Sequence, residues 1–177
     1  VKEGYDLIGT GEMGIGNTST SSAVTAALLD LPVDQVVGMG AGLTKEQYEH
    51  KKAVIERALT INKPNKEDVI DVIAKVGGLD IAGMCGLFLG AAKNKLPIVI
   101  DGLISAVSAL CAYRLNPMVR DYLFTSHKSE EIAVSKVFEA LDMSPMLYMN
   151  MRLGEGSGCP LAFNIIEAAL YMVEEMA

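Results

Sequence analysis

The sequence lacks a hydrophobic stretch long enough to cross a membrane. Half of its 177 residues are hydrophobic and its mean hydropathy is +0.30. However, its uncharged apolar runs at 81–92 and 102–113 contain about twelve residues each, whereas a bilayer requires roughly twenty. We interpret both runs as buried helices and expect no membrane span. A chain of this length is expected to form one domain with a sizeable core.

The sequence also lacks any cluster of basic residues. It has 15 Lys and Arg against 22 Asp and Glu, which gives a formal net charge of −7 at pH 7. This balance argues against a nucleic-acid partner, because such a surface needs concentrated positive charge. An anionic ligand must then be bound by backbone N–H groups and one or two cationic side chains.

Cysteine and histidine are both scarce. Cys85, Cys111 and Cys159 are far apart and form no CxxC motif, which predicts free thiols and a reducing, cytoplasmic compartment. His50 and His127 are isolated, so we expect no metal site. A secretory signal and an initiator methionine are absent as well, and the first strand is expected within a few residues. We therefore expect a fragment of a longer protein.

Alternating strand and helix patterns predict the α/β class, with a Rossmann-like, mainly parallel sheet flanked by helices. Strands are expected at 5–9, 96–100, DYLFTSH (121–127) and PMLYMNM (145–151). Helices are expected at 19–30, 45–61, 67–76, 78–95, from about 103 to 115, at 129–141 and at 160–176. The predicted helix caps are Thr44 for the second helix and, for the first, one of Asn17, Thr18 and Ser19.

The helix predicted at 78–95 contains Gly83, Gly86 and Gly90. Each glycine costs a helix about 1 kcal/mol relative to alanine. Three of them therefore indicate close packing against another backbone. One interpretation of the chain is thus a structural or interaction fragment, with no chemistry of its own, whose helix at 81–92 packs in a homodimer.

Four polar or glycine-rich loops follow predicted strands: GTGEMGIGNTST, DGLIS, TSHKSEE and MRLGEGSG. In open α/β sheets, ligands bind beyond the carboxyl ends of the strands. The convergence of the four loops at one edge of the sheet is the main indication of a functional site, since any one of them alone is a weak signal.

The first loop contains a GxGxxG pattern at Gly9, Gly11 and Gly14, with Asp30 about twenty residues further on. This pattern is typical of a Rossmann-like nucleotide-binding module, which is one alternative. Yet the third glycine should already lie in the helix, and Asp30 ends a helix rather than a second strand. A phosphate bound by backbone N–H groups at the helix start fits the loop better. A glycine-rich turn with no ligand is the remaining alternative.

Glu155 lies between Gly154 and Gly156, just before the last predicted helix. A carboxylate there can simply complement the helix dipole. The flanking glycines, however, also allow unusual backbone angles and the close approach of a ligand, which a general base needs. Asp101, at the end of a buried strand, has two interpretations as well: it contacts a ligand hydroxyl or it caps the next helix.

Four segments, taken together and in order, resemble one family over essentially the whole chain. They are GTGEMGIGNTST, VGMGAGL, KVGGLDIAGMCGLFLGAA…PIVIDGLIS and MRLGEGSG. The chain is similar to the nicotinate-nucleotide:dimethylbenzimidazole phosphoribosyltransferases of cobalamin nucleotide-loop assembly. The resemblance implies transfer of phosphoribose from nicotinate mononucleotide to 5,6-dimethylbenzimidazole, which gives α-ribazole 5′-phosphate and nicotinate with inversion at the anomeric carbon.

The resemblance also implies roles for particular residues. By its position in MRLGEGSG, Glu155 resembles the family's general base, and Glu12 is similar to its second active-site carboxylate. Glu155 would accept a proton from the attacking benzimidazole, and Glu12 would stabilise positive charge on the ribose. No metal or cofactor is implied. The residues that resemble the family's substrate contacts are Gly14, Ile15, Gly16, Asn17, Thr18, Lys51, Asp101, Gly102, Ser129 and Leu153.

Family members are about twice as long as this chain, which resembles their carboxyl-terminal half. Residues 1–177 are therefore expected to form part of the family's large catalytic domain, with the final helix at 160–176 assigned to a small helical domain. The missing half supplies part of the base pocket in the family. The implied partners are the two small-molecule substrates and a second copy of the chain in a homodimer.

Overall fold

The computed structural model describes residues 2–39 and 42–176 as an α/β fold. Within these ranges, a parallel sheet has the strand order β1-β2-β3, with β1 at Ile8–Gly9, β2 at Ile98–Ile100 and β3 at Leu123–Thr125. A smaller sheet pairs β4, His127–Ser129, with β5, Leu147–Met151, also in parallel. The helices are α1 Asn17–Leu29, α2 Lys45–Asn62, α3 Val69–Val76, α4 Leu79–Lys93, α5 Leu103–Leu115, α6 Ala133–Ala140 and α7 Cys159–Met176, with short 3-10 helices at Val33–Gln35 and Pro117–Tyr122.

The parallel sheets flanked by helices confirm the predicted fold class. β2 is the central strand of the larger sheet, and all of its residues are fully buried, as the continuous apolar run LPIVI predicts. The strands are shorter than expected. β1 contains only the last two of the residues expected at 5–9, and the segment DYLFTSH is divided between β3 and β4.

The helix expected at 129–141 begins later than predicted, at Ala133. Ser129 instead ends β4, where it pairs with Met151 of β5. The conformation of Ser129 is therefore determined by pairing with β5, a strand further along the chain, rather than by the local helical pattern. As a result, Ser129 lies at the carboxyl end of a strand.

Of the two predicted helix caps, the one for α2 is confirmed and the one for α1 is wrong. Thr44 caps α2 as predicted, through a capping box that it forms with Gln47. The N-cap of α1 is Gly16, whose φ of 85° lies in the left-handed region, and no side chain caps this helix. The caps predicted for α1 are wrong because the helix already includes all of them: Asn17, Thr18 and Ser19.

α5 forms the centre of the core. Its residues from 103 to 112 are all buried, and α1, α4 and α6 pack around it. The apolar run at 102–113 is therefore a core helix, as predicted. The run at 81–92 lies in α4 but buries only one face, since Phe88 is fully buried whereas Leu87 is exposed.

The glycines of α4 have no close contact of the predicted kind among the described residues. A Cβ added at Gly83, Gly86 or Gly90 would meet no other atom within 4 Å. The expectation of close backbone packing is therefore wrong for the described part of the chain taken by itself. The three glycines instead form an open, small-residue surface on one side of α4.

None of the helices in the described part of the chain combines the length and the apolar character that a membrane span requires. The three cysteines are free, as their spacing predicts, and all three are buried. Burial raises the pKa of Cys85 to about 11 and that of Cys159 to about 12. Burial therefore disfavours the reactive thiolate form of both cysteines.

Replacing Leu110 by alanine should destabilise the fold strongly. The Leu110 side chain is fully buried in α5, so the substitution leaves a cavity at a cost of about 3–5 kcal/mol in the free energy of unfolding. Leu115→Ala, at the end of the same helix, is the control because Leu115 is 41% exposed; we expect a loss of about 1 kcal/mol. Urea unfolding followed by circular dichroism measures both. Equal losses would contradict a core centred on α5.

Candidate active site

The loops that follow β1, β2, β4 and β5 line a single cavity of about 270 Å³. This is the edge of a parallel sheet at which ligands bind. Most residues predicted for the site line the cavity: Glu12, Gly14, Ile15, Asn17, Thr18, Asp101, Gly102, Ser129, Leu153 and Glu155. Gly16 and Lys51 do not line it. Gly16 precedes α1, and Lys51 reaches the site by donating from Nζ to Thr18 Oγ1 at 3.1 Å.

The loop after β1 contacts the loop after β5 through the backbone. A Cβ added to Gly11 would lie 2.6 Å from the nitrogen of Gly156, and one added to Gly9 would lie 2.6 Å from Cys159 Cβ. Both glycines belong to the GxGxxG pattern. In this chain, therefore, Gly11 allows two loops to touch and Gly9 allows β1 to pack closely against the start of α7.

The backbone around Glu155 is left-handed over three successive residues. The φ values are 76° at Gly154, 57° at Glu155 and 75° at Gly156. The two glycines adopt this conformation freely, whereas a residue with a Cβ pays roughly 1–2 kcal/mol for it. The Glu155 side chain is exposed and lines the cavity. The loop thus presents a carboxylate to the cavity at a cost in backbone energy.

Asp101 is 2% exposed at the end of β2. Its carboxylate accepts the backbone N–H groups of Gly156 at 3.0 Å and of Gly158 at 2.8 Å. The N-cap of α5 is Gly102, and no side chain caps this helix. The helix-capping interpretation of Asp101 is therefore wrong. Its carboxylate instead holds the loop that carries Glu155.

Glu12 shares a hydrogen-bond donor with a second acid. Asn17 donates from Nδ2 to Glu12 Oε2 and also to Asp80 Oδ2, the latter at 2.8 Å. The Asn17 side chain thus bridges two carboxylates. Asp80 lies in the first turn of α4, and the sequence analysis missed it. No sequence pattern indicates that the start of α4 lies beside the start of α1.

The environment of Glu12 raises the pKa of its carboxyl group. Burial is the main cause that raises its pKa, and the negative charges of Asp80, Asp101 and Glu155 act in the same direction. The hydrogen bond from Asn17 opposes them. Although acids are concentrated here, residues 2–39 and 42–176 contain no group of three His, Cys, Asp or Glu side chains arranged to hold a metal ion.

Positive charge reaches the site from three sources. The start of α1 carries the positive end of a helix dipole and has no side-chain cap. Lys51 lies against the first turn of this helix, where burial lowers its pKa and the charge of Glu131 opposes that shift. Arg152 lines the cavity and was missed, although it belongs to the MRLGEGSG segment. The cavity can therefore accept an anion such as a phosphate beside α1.

Comparison with known proteins gives consistent matches over the whole chain. A family model described as a phosphoribosyltransferase matches residues 1–177. The nicotinate-nucleotide–dimethylbenzimidazole phosphoribosyltransferase of Clostridium tetani is 60% identical over 177 residues, which are 100% of this chain and 49% of that relative. The protein of the same name from Clostridium acetobutylicum is 53% identical over 98% of this chain and 49% of its own length. The chain thus spans about half the length of the curated relatives it matches.

Two solved structures share the fold. The crystal structure of CobT from Thermus thermophilus matches with a TM-score of 0.90 and 38% identity, over 95% of this chain and 50% of that one. A crystal structure of the nicotinate-nucleotide–dimethylbenzimidazole phosphoribosyltransferase from the same organism matches with a TM-score of 0.87 and 39% identity, over 95% and 49%. The α/β arrangement that builds the cavity is therefore common to all three chains.

Two substitutions beside Glu12 should move its pKa in opposite directions. Asp80→Asn removes a charge that raises the pKa, so the value should fall. Asn17→Ala removes a donor that lowers the pKa, so the value should rise. Carboxyl ¹³C NMR titration measures both shifts, and Asp142→Asn, at an exposed position after α6, should cause neither. Shifts of equal sign would contradict the bridging arrangement.

Proposed function

This chain belongs to the nicotinate-nucleotide–dimethylbenzimidazole phosphoribosyltransferase family, and from that premise we propose that it transfers phosphoribose from nicotinate mononucleotide to 5,6-dimethylbenzimidazole. The products are α-ribazole 5′-phosphate and nicotinate, as needed for the cobalamin nucleotide loop. The observation that carries the proposal is that Glu12, Glu155 and the start of α1 meet around one cavity. This arrangement supports a reaction in which two acids act on a bound ribose phosphate.

The 5′-phosphate of the nucleotide fits the start of α1. The helix dipole, the Lys51 ammonium group and the backbone N–H groups of the loop before α1 all favour an anion at this position. Gly102 and Ser129 line the same cavity and are assigned to the ribose phosphate. An anchored phosphate fixes the anomeric carbon relative to the incoming base, which lowers the entropic cost of the reaction.

Glu155 acts as the general base in this scheme. One ring nitrogen of dimethylbenzimidazole attacks the anomeric carbon while the bond from that carbon to nicotinate breaks. The bonding electron pair returns to the pyridinium nitrogen, which is already positively charged, so the leaving group needs no acid. The proton on the other benzimidazole nitrogen passes to the Glu155 carboxylate. The exposed side chain at the cavity supports this role.

Glu12 stabilises the positive charge that develops on the ribose when the glycosidic bond breaks. Its carboxylate is partly buried, and Asn17 fixes one of its oxygens. A buried, oriented carboxylate interacts more strongly with a nearby cation than one surrounded by water does. Glu12 and Glu155 therefore have different tasks, one electrostatic and one in proton transfer.

The acceptor base requires more enclosure than this chain provides. A cavity of about 270 Å³ lies below the roughly 300–1,000 Å³ typical of ligand pockets. Three of its apolar side chains are largely exposed, with Met13 at 83%, Ile15 at 107% and Leu153 at 69%. Since the chain spans about half of its relatives' length, we assign the remaining wall of the base pocket to residues outside it.

We also assign the protein to a homodimer in a reducing, cytoplasmic compartment. The small-residue surface of α4, formed by Gly83, Gly86 and Gly90, lets a second backbone approach closely. Leu87 on the same helix is 53% exposed and offers apolar area to a partner. Free, buried thiols suit a reducing compartment.

The alternative of a nucleotide-binding module without chemistry has weaker support. Gly14 lies before α1 rather than inside it. Asp30, which would bind a ribose in such a module, does not line the cavity and instead accepts a hydrogen bond from Lys66 at 2.9 Å. Gly14 thus lies outside the helix and Asp30 lies outside the site, whereas the dinucleotide interpretation requires the opposite of both.

Glu155→Gln should lower turnover by about 100-fold to 10,000-fold, the usual contribution of a general base. Binding of nicotinate mononucleotide should change less than about threefold, because the phosphate site is untouched. Chromatography of released nicotinate measures the turnover of the variant and of the native protein. Calorimetric titration measures how tightly each binds nicotinate mononucleotide. Glu139→Gln, exposed on α6, is the matched control. Unchanged turnover in Glu155→Gln would refute the proposed function.

Gly86→Arg should convert the homodimer into a monomer. A long charged side chain in the middle of the small-residue surface of α4 would hold the second backbone away. Light scattering measures the molar mass, which should halve. Thr60→Arg, at an exposed position on α2, introduces the same charge elsewhere and should leave the mass unchanged. A native protein that is monomeric would disprove the assignment.

A further inference from the structure

The loop that presents Glu155 needs support from outside itself. Three successive residues, Gly154, Glu155 and Gly156, have positive φ values. A residue with a side chain adopts this conformation at a cost, and such local strain persists only where surrounding contacts maintain it. Contacts between residues 154–158 and the sheet must therefore maintain the backbone that carries the Glu155 carboxylate.

Asp101 provides two of these contacts. Its Oδ2 accepts the N–H of Gly156 at 3.0 Å, and its Oδ1 accepts the N–H of Gly158 at 2.8 Å. Asp101 is itself 2% exposed and directly follows β2, the fully buried central strand. Hydrogen bonds to a carboxylate are about twice as strong as neutral ones. One rigidly placed side chain thus holds the loop at two points.

Two buried neighbours restrict the loop on the same side. A Cβ at Gly158 would overlap His127 Nδ1 and would lie 2.7 Å from Ser126 Oγ. Ser126 Oγ also donates to the backbone oxygen of Asp101 at 3.2 Å. Burial lowers the pKa of His127, and the charge of Asp101, 4.0 Å away, opposes that shift. Ser126 and His127 thus leave no room for a side chain at position 158.

We propose that Asp101 is a positioning residue, which fixes residues 154–158 so that the Glu155 carboxylate faces the cavity, and which acts on the reaction only through Glu155. This inference rests on the proposed function. It differs from a direct contact between Asp101 and a substrate hydroxyl. Although Asp101 lies at the wall of the cavity, each of its two oxygens accepts a backbone N–H of the loop and only 2% of the residue is exposed.

Asp101→Asn tests the proposal with little change of shape. The amide replaces one acceptor oxygen by an NH₂ group, which faces a backbone N–H and cannot accept from it. Relative to the protein without the substitution, kcat of Asp101→Asn for nicotinate release should fall at least about 100-fold, while KM for nicotinate mononucleotide stays within about threefold. Asp121→Asn, at an exposed position, is the control. An increase in KM with kcat unchanged would assign Asp101 to substrate binding and overturn the proposal.

A double variant separates positioning from an independent role. Because Asp101 acts through Glu155, the Asp101→Asn/Glu155→Gln protein should be no slower than Glu155→Gln alone, within about threefold. If kcat of the double variant falls by the product of the two single-variant fold-losses, Asp101 contributes by another route, and the proposal is overturned.

Amide hydrogen exchange tests the same contacts without any need for turnover. The N–H groups of Gly156 and Gly158 should exchange at least about tenfold more slowly in the native protein than in Asp101→Asn. If the variant does not fold, the native protein alone decides: free exchange at both glycines overturns the proposal, and protection supports it. Protection in a native protein that shows no turnover would count against the proposed function and leave the role of Asp101 in holding the loop standing.

Discussion

The site depends on a contact between two loop backbones. Gly11, after β1, lies so close to Gly156, after β5, that a Cβ on Gly11 would be 2.6 Å from the Gly156 nitrogen. Parallel strands bring their carboxyl ends to one edge, but only the absence of side chains lets these loops touch. Because Glu12 follows Gly11 and Glu155 precedes Gly156, the contact places both acids beside one cavity. The location of the proposed chemistry is thus determined by two residues that have no side chain.

The charge of the protein and that of its proposed ligand have the same sign, and the site resolves this conflict locally. The chain carries a net charge of −7, and Glu12, Asp101 and Glu155 all line the cavity. Asp101 is satisfied by backbone N–H groups and Glu12 by Asn17, so neither requires a cation. The start of α1 and Lys51 remain for the phosphate. A cavity of this kind can hold a phosphate at one end and stabilise a positive sugar carbon at the other.

Local patterns in the sequence predicted local structure well and long-range partners poorly. The buried strand β2 and the cap of α2 follow from apolar runs and capping residues, and the loops of the site were recognised from glycine and acid spacing. Ser129 was misplaced because no local pattern reveals that its segment pairs with β5. Asp80 was missed because 63 positions separate it from Asn17. Asp101 was recognised as important, but its actual partners, Gly156 and Gly158, became visible only when the loops were packed together.

On the proposed function, the groups that react are separate from the surface that contacts the acceptor. Glu12, Asp101 and Glu155 are held by contacts within this chain, which spans about half the length of its relatives. The apolar side of the cavity, with Met13, Ile15 and Leu153, is by contrast largely exposed. On the proposed function, residues outside this chain would complete the enclosure of the planar aromatic base at this surface. On the proposed function, a change in those residues would alter which base fits without disturbing the loop that positions Glu155. Discrimination between acceptor bases can therefore vary while the chemistry of phosphoribosyl transfer stays fixed.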